Sequence, residues 1–233
     1  MARILTFSGG LDSFIVKRVF GFANEECLFF KINTADNKIE EKYLDKMFPG
    51  IKKVELPLDD FELPNKIIPF RNHFMALMAA QFAGKIYFGF TAGDTTKDKD
   101  YVFKAQMEGV LNYFSLDTDK VSVQGPFEII MPFKEQTKTQ MVEIFMRLEG
   151  ADPQELINTT SCYAGLEKSC GRCRSCLRKF IALSLNGINC RNSFEYDPVN
   201  NDLVIFYEEC KKKNRKGEIK EVAECLKRVG VII

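Results

Sequence analysis

The sequence predicts an α/β fold, in which a doubly wound parallel sheet carries helices on both faces and a small helical extension follows. Three observations predict this fold. Short apolar runs alternate with amphipathic stretches over the first 150 residues, as in successive strand–helix units. A glycine turn joins the first run to the first helix, and four cysteines cluster where the alternation ends. We therefore expect a sheet domain over residues 1–150 and a metal-binding helical extension over residues 151–233.

Short apolar runs bounded by turn residues mark the strands. The predicted strands are residues 4–7, 27–32, 53–56, 86–90 and 129–133. The predicted helices of this part are residues 14–20, 39–47, 73–83, 101–114 and 137–148. We expect Asn72 to cap the third helix, after an entry fixed by Pro69, and Thr137 to cap the fifth. The strand–helix alternation predicts parallel pairing.

The composition narrows the classes of function. With 33 basic and 32 acidic residues, the net charge of +1 gives no general attraction to nucleic acid. The one dense basic run, residues 211–216, precedes glutamates and is typical of a solvated helix end, so we do not expect nucleic acid contact. No membrane span or signal peptide is visible, which predicts a cytoplasmic protein. The single histidine, His73, argues against histidine-dependent catalysis.

The turn after the first strand is the strongest candidate for a ligand-binding loop. Its sequence is Ser8-Gly9-Gly10-Leu11-Asp12-Ser13. The glycines let the backbone approach a ligand, and the first N–H groups of the following helix carry partial positive charge, which suits phosphate. The loop lacks the Gly-Lys-Ser/Thr ending of a Walker loop. We expect nucleotide binding by Phe7 and all six loop residues; a capped turn without a ligand is the alternative.

Two further segments are predicted to contribute to the site. Arg71, whose guanidinium is always charged, and Asn72 precede the third helix, where they could bind phosphate. The polar loop at residues 91–100 follows the fourth strand, and α/β sheets bind ligands at the carboxyl ends of their strands. A solvated surface loop is the alternative. The residues predicted to select the substrate are Gly93, Asp94, Thr95, Lys97 and Asp98.

The four clustered cysteines predict a metal site. Cys162, Cys170, Cys173 and Cys176 form a C-x7-C-x2-C-x2-C pattern, in which the short spacers let adjacent thiolates converge on one ion. Structural zinc is the expected metal, and an iron–sulfur cluster is the alternative. Four protein ligands leave no open position, so this metal is expected to support the structure and not to activate water.

Several motifs together resemble a known family. Residues 8–13 resemble the loop of the PP-loop ATP pyrophosphatases, which transfer the AMP part of ATP to a substrate oxygen. The order Thr160-Ser161-Cys162-Tyr163, then Cys170-Gly171-x-Cys173-x-x-Cys176, resembles the 7-cyano-7-deazaguanine synthases of the queuosine pathway. With Pro69-x-Arg71-Asn72 and the segment Pro132-Phe133 to Thr137-Lys138, the resemblance covers most of residues 2–190.

The resemblance implies a fold, an activity and cofactors. The fold is that of an adenine nucleotide α-hydrolase-like domain with a zinc-bearing extension. The reaction is the ATP-dependent conversion of 7-carboxy-7-deazaguanine and ammonia to the nitrile through an adenylated acid, an amide and an adenylated amide. Mg²⁺ on the phosphates and structural Zn²⁺ are also implied. We further expect a homodimer. The residues that correspond to catalytic positions are Ser8, Asp12, Ser13 and Arg71.

The chain departs from the family in its predicted substrate loop. Family members tend to carry a Tyr-Ser-Gly-Tyr-Pro-Asp-Cys-Arg-like stretch, and the tyrosine and arginine are absent here. Asp94, Asp98 or Asp100 is left to bind the guanine-like edge, and Phe70 replaces the glycine of the family's Pro-Gly-Arg-Asn. Two other functions stay open: a ligase that stops at the amide or uses another amine, and a non-enzymatic nucleotide-binding module.

Overall fold

Five parallel strands form the centre of the molecule. The computed structural model describes residues 2–115, 125–160, 162, 164 and 168–231; Ser161 and Tyr163 of the cysteine motif lie outside these residues. The strands are β1 (Arg3–Thr6), β2 (Cys27–Lys31), β3 (Lys52–Glu55), β4 (Lys85–Tyr87) and β5 (Glu128–Ile130). They pair in the order β3-β2-β1-β4-β5, every pair parallel. The predicted doubly wound sheet is confirmed.

Both faces of the sheet are buried, because consecutive residues of the central strands are apolar and their side chains point to opposite faces. Leu5 and Phe29 belong to the core on one face, whereas Ile4 and Leu28 belong to the core on the other. Successive side chains of a strand point to opposite faces, so a strand that is apolar at every position must be covered on both sides. Helices from the first half and from the C-terminal part supply this cover.

The helices alternate with the strands and then continue alone. Those that alternate are α1 (Leu11–Val19), α2 (Ala35–Met47), α3 (Arg71–Ala79), α4 (Tyr101–Phe114) and α5 (Lys138–Met146). Those that follow the last strand are α6 (Pro153–Asn158), α7 (Arg174–Leu185), α8 (Asn201–Lys212) and α9 (Lys216–Arg228). Thr137 caps α5 as predicted, since its hydroxyl accepts a hydrogen bond from the backbone N–H of Gln140.

The start of α3 differs from the prediction. Asn72 does not cap this helix, which begins at Arg71, with Phe70 in the capping position. The Asn72 side chain is buried and its Nδ2 donates to Asp98 Oδ2 at 2.7 Å, so it ties α3 to the loop after β4. Phe70 adopts left-handed backbone angles, φ 60° and ψ 11°, and its side chain is exposed. The family's glycine at this position fits such a backbone without strain.

Replacing Phe70 by glycine is expected to stabilise the protein relative to a Phe70→Ala variant. Both changes remove the exposed ring, but alanine keeps a side chain at a left-handed position, which costs about 1 kcal/mol. Urea unfolding of the two variants would measure the difference. A glycine variant that unfolds at the same or a lower urea concentration than the alanine variant would show that this backbone stores no strain.

The C-terminal helices share a core with the sheet. One continuous apolar cluster includes Leu5 and Phe14 of the first strand–helix unit, Phe180 of α7 and Val222 of α9. The boundary near residue 150 stays a prediction, since this cluster crosses it. Among the described residues, no helix combines the length and the apolar composition that crossing a membrane would need.

Candidate active site and metal centre

The candidate ligand loop lies at the point where the strand order reverses. The chain moves from β1 outward to β2 and β3, and then returns to add β4 and β5 on the other side. Neighbouring β1 and β4 therefore lead their following segments in opposite directions, which leaves a crevice at their carboxyl ends. Ser8 to Ser13 leave β1 at this crevice, and Gly89 and Phe90 follow β4 beside it.

Hydrogen bonds among its own residues fix the loop's conformation. The Ser13 hydroxyl donates to the carbonyl of Gly10 at 3.1 Å and lies 3.3 Å from the backbone nitrogen of Ser8, which donates to it. The hydroxyl of Ser8 accepts from the backbone N–H of Gly10 at 3.3 Å. Gly10 precedes α1 and has no side chain to cap it. The first N–H groups of α1 thus lack a side-chain cap at a loop that is already shaped.

Gly89 allows the backbone after β4 to pack against the start of α1. A Cβ at position 89 would lie 3.0 Å from the backbone nitrogen of Ser13 and 3.2 Å from the carbonyl carbon of Asp12. These neighbours are backbone atoms and cannot turn aside as the end of a side chain would. The position of the loop therefore depends on glycine at residue 89.

A cavity of about 250 Å³ opens onto the loop. Most of the residues predicted to bind nucleotide line it: Phe7, Ser8, Gly10, Leu11, Asp12, Ser13, Arg71 and Asn72. Its cationic lining residues come from five different segments: Lys66, Arg71, Lys99, Lys138, Arg178 and Lys179. Lys138 forms an ion pair with Oδ2 of Asp12, whose other oxygen, Oδ1, is buried and has no hydrogen-bond partner among the described residues. The cavity thus combines several cationic side chains with one carboxylate oxygen that has no partner among the described residues.

The turn from β2 into α2 adds two groups to the cavity wall. Asn37 fixes this turn, because its Oδ1 accepts from the backbone N–H of Ile32 at 2.7 Å and its Nδ2 donates to the carbonyl of Phe30 at 3.0 Å. One turn along α2, Glu40 faces the cavity, and burial together with the charge of Asp36 raises the pKa of Glu40 to about 8. The Glu40 carboxyl thus takes up a proton more readily than an exposed glutamate, and its protonated form can donate a hydrogen bond.

The three aspartates of the loop after β4 are already engaged with the chain. Asp94 accepts from the backbone N–H of Thr91 at 2.9 Å and pairs with Lys99 at 2.7 Å. Burial alone would raise the pKa of Asp94, but the charges of Lys99 and Lys138 hold this pKa well below its usual range. Asp98 accepts from Asn72, and Asp100 caps α4. These carboxylates hold the loop in shape.

The predicted substrate residues separate into two groups. Gly93, Asp94 and Thr95 line a second cavity of about 280 Å³, which lies between this loop and the C-terminal helices. Asp94 also lines the first cavity. Lys97 is almost fully exposed and, like Asp98, lines neither of these two cavities. The loop thus lines the two cavities through residues 91–95 and Lys99.

The four predicted metal ligands converge. The sulfur atoms of Cys162, Cys170, Cys173 and Cys176 all lie within 4.8 Å of one another, compared with about 3.8 Å for thiolates at 2.3 Å from one tetrahedral zinc ion. Backbone N–H groups of Arg172 and Cys173 donate to the Cys170 sulfur at 3.4 and 3.3 Å. These residues form a metal site whose donors point at one place.

Gly171 makes the cysteine turn possible. Its backbone has a φ of 77°, and a Cβ there would lie 2.1 Å from the carbonyl oxygen of Tyr196. A side chain at this position would have to displace the segment before α8, so glycine fits both the turn and the close contact. The glycine of the Cys-Gly-x-Cys motif therefore has a packing role in addition to its conformational one.

A short segment, residues 157–160, lies between the metal site and the ligand loop, and we call it the strap. The backbone N–H of Thr160 donates to the carbonyl of Gly9 at 3.1 Å, and Cys162 follows two residues later. Lys179 of α7 is buried and donates to the carbonyls of Ile157 and Thr159 at 2.8 and 2.5 Å. Burial lowers the pKa of Lys179 to about 8. The strap is thus bound to the ligand loop through Thr160 and to α7 through Lys179, and the metal ligand Cys162 follows it.

Comparison with known proteins assigns the chain to a family. The model of the family described as "Queuosine biosynthesis protein QueC" matches residues 37–187, more than half of the chain. The chain belongs to this QueC family. The match contains Arg71, the loop after β4 and all four metal ligands, and it begins after the loop at residues 8–13. The family resemblance expected from the motifs is confirmed.

Curated relatives carry the name 7-cyano-7-deazaguanine synthase. The one from Sulfurimonas denitrificans is 32% identical over 157 residues, 64% of this chain and 62% of that protein. The one from Marinomonas sp. is 29% identical over 136 residues, 55% of this chain and 57% of that protein. The one from Pseudoalteromonas atlantica is 23% identical over 227 residues, 83% of this chain and 98% of that protein. The chain thus spans less than two thirds of the first two and nearly all of the third.

In this QueC-family chain, sequence reasoning missed the site residues that come from the helices after the last strand. Lys138, Arg178 and Lys179 all line the first cavity. Each lies in an amphipathic helix, where a lysine or arginine is ordinarily a solvated residue. The available signal for Lys138 was its place directly after the cap of α5, within a segment that resembles the family.

Proposed function

We propose that this chain converts 7-carboxy-7-deazaguanine and ammonia to 7-cyano-7-deazaguanine, with ATP as the activating substrate. The observation that carries the proposal is the preformed loop at residues 8–13, which opens onto a cation-lined cavity at the strand reversal. The names of the curated relatives support the choice of substrate. The QueC family match supports the place of the reaction in queuosine biosynthesis.

The chemistry requires activation because a carboxylate has no good leaving group. A carboxylate oxygen of the substrate attacks the α-phosphorus of ATP, and the bond to pyrophosphate breaks. Ammonia then displaces AMP and loses a proton, which gives the amide. The amide oxygen then attacks the α-phosphorus of a second ATP and the second pyrophosphate leaves. Loss of AMP and of both amide protons then leaves the nitrile. The chain needs no covalent nucleophile for these steps.

The loop residues and the cations perform binding and charge stabilisation in this scheme. The first N–H groups of α1 and the hydroxyls of Ser8 and Ser13 stabilise the departing pyrophosphate. Arg71 offsets phosphate charge from the start of α3, and Lys138 does so from the start of α5. Asn72 keeps Arg71 in place through its hydrogen bond to Asp98. Because these groups are fixed before the substrate binds, little reorganisation opposes the reaction.

Two metals belong to the proposal. Mg²⁺ fits Asp12, whose buried Oδ1 has no partner within the described part of the chain; Asp12 would hold the ion, which would supply charge neutralisation. Zn²⁺ fits the four-cysteine centre, since four thiolates are its usual structural donor set. This zinc site has no position for a substrate, and its contribution is to hold the strap and α7.

Product analysis tests the proposed function. The protein is incubated with ATP, Mg²⁺, ammonium and 7-carboxy-7-deazaguanine, and the nucleotide products are separated by chromatography. We expect AMP and pyrophosphate, and neither without the acid. Formation of ADP and phosphate would contradict α-phosphate activation. Intact ATP in the presence of the acid would contradict the substrate, and would favour a nucleotide-binding module without enzymatic activity.

We also propose that the chain forms the expected homodimer. Helices α3 and α4 carry exposed apolar side chains that support it: Phe74, Leu77, Val110, Tyr113 and Phe114. Several large exposed apolar side chains on neighbouring helices support an interaction site. Sedimentation velocity would give the mass directly, and a monomer at micromolar concentration would contradict the proposal.

A further inference from the structure

The second cavity lies beside the nucleotide cavity and has a different character. It is enclosed by residues 91–95, α7 and the start of α9, and its volume is about 280 Å³. Ile181, Phe206 and Val222 give it apolar walls. Pockets for drug-sized ligands measure about 300–1,000 Å³, so this one suits a single bicyclic heterocycle. Most of its wall area is apolar, whereas most of the wall area of the nucleotide cavity is polar, although cations line this cavity too: Lys138, Arg178, Lys213, Arg215 and Lys216.

The two cavities share part of their walls. Asp94, Lys138 and Arg178 line both of them. A flat base in the second cavity would therefore direct a substituent toward the same lysine and arginine that border the nucleotide cavity. A carboxylate on that base would therefore face the nucleotide cavity, where its oxygen must attack the α-phosphorus of ATP.

The second cavity is shaped before any ligand binds. Glu218 of α9 pairs with Arg178 at 2.6 Å and with Arg215 at 2.8 Å, and its side chain is only 12% exposed. Arg215 also donates to the Thr95 hydroxyl at 3.2 Å, which connects α9 to the substrate loop. Burial alone would raise the pKa of Glu218, but the hydrogen bond from Arg178 and the charges of both arginines lower it. Glu218 is thus occupied in holding the cavity together.

Glu221 is the carboxylate of this cavity that lacks a cation. It lines the cavity one turn after Glu218 and makes no ion pair with any described residue. Burial and the charge of Glu218 raise the pKa of Glu221, and the hydroxyls of Thr137 and Thr139 oppose this shift. A half-buried carboxylate that lacks a cation costs stability, and a ligand with donor groups would offset this cost.

We propose that the second cavity binds the deazaguanine base and that Glu221 accepts hydrogen bonds from its N1–H and 2-amino groups. This inference rests on the proposed function and replaces the loop aspartates as base-reading groups, since Asp94, Asp98 and Asp100 already hold the loop. A carboxylate with two acceptor oxygens matches the two adjacent donors of a guanine edge. The base is then recognised from the C-terminal helix, and its carboxyl group faces Lys138 and Arg178.

Binding measurements on Glu221→Gln test the inference. Isothermal titration with 7-carboxy-7-deazaguanine is expected to show affinity about 10- to 100-fold weaker than for the wild type, while ATP affinity stays unchanged. The matched control is Glu224→Gln on the same helix, where the glutamate is exposed and pairs with Arg228. A base analogue without the 2-amino group should bind weakly to the wild type and lose much less affinity in the variant.

A stability measurement separates this role from a structural one. Because the pKa of Glu221 is raised in the folded state, neutral glutamine is expected to unfold at the same temperature as the wild type or at a higher one in the absence of substrate. Unchanged base affinity in Glu221→Gln, or equal losses of base and ATP affinity, would overturn the inference. If the wild type forms the nitrile but Glu221→Gln keeps its base affinity, only this inference is overturned. If Glu221→Gln loses base affinity but the wild type forms no nitrile, only the proposed function is overturned.

Discussion

A Cys176→Ser variant is expected to lose its metal and to unfold at a temperature lower by about 10 °C or more. Cys176 is fully buried at the start of α7, Cys170 and Cys173 lie just before this helix, and Cys162 lies two residues after Thr160. Metal binding contributes folding free energy because the site does not exist in the unfolded chain. Since the strap at Thr160 joins this site to Gly9, we also expect weaker ATP binding.

Metal content by mass spectrometry, differential scanning calorimetry and ATP titration measure these effects. Cys225→Ser is the control, because Cys225 is equally buried but lies in α9, away from the metal. It should keep one metal ion per chain and a smaller loss of stability. A Cys176→Ser protein with full metal content would contradict the four-cysteine assignment, and normal ATP affinity in a metal-free protein would contradict the coupling through the strap.

A Gly89→Ala variant is expected to lose at least about 100-fold of the ATP-dependent activity. The new methyl group would lie 3.0 Å from the backbone nitrogen of Ser13, so the first turn of α1 has to move. That turn supplies the N–H groups proposed to bind phosphate, and displacements of about 1 Å in a catalytic arrangement cost this much in rate. Steady-state assays of AMP release would measure the loss.

Gly109→Ala is the matched control for this change. Gly109 lies within α4, and a Cβ there meets no atom within 4 Å. The control should keep full activity and gain up to about 1 kcal/mol of stability, since alanine favours a helix more than glycine does. A folded Gly89→Ala protein with normal activity would show that the reaction does not depend on the start of α1.

The architecture followed from local signals in the sequence. Alternating apolar runs and helical stretches specify a parallel sheet, and the apolar residues at both parities of β1 and β2 specify that both faces are covered. The sequence predicted the ligand loop at residues 8–13 and the four-cysteine site, because glycines and thiols at these spacings are typical of such sites. The strand order came from the structure, and it places this loop at the reversal.

The residues around the substrate were harder to predict because their roles depend on tertiary contacts. Asp94 and Asp98 looked available for a ligand, but Thr91, Lys99 and Asn72 engage them. Asn72 looked like a helix cap, but the helix begins earlier and its amide is buried. Glu221 stands in an ordinary amphipathic helix, and only the folded chain brings it opposite the loop. Local sequence contains none of these long-range pairings.

The most direct test of the central claim is the mass of the product formed from 7-carboxy-7-deazaguanine with ATP, Mg²⁺ and ammonium. We expect the nitrile, with two AMP formed for each nitrile and with nitrogen from labelled ammonium retained in it. The amide as the end product would contradict the complete reaction and favour a ligase that stops after the first activation. Recovery of the unchanged acid would contradict the assignment of this substrate.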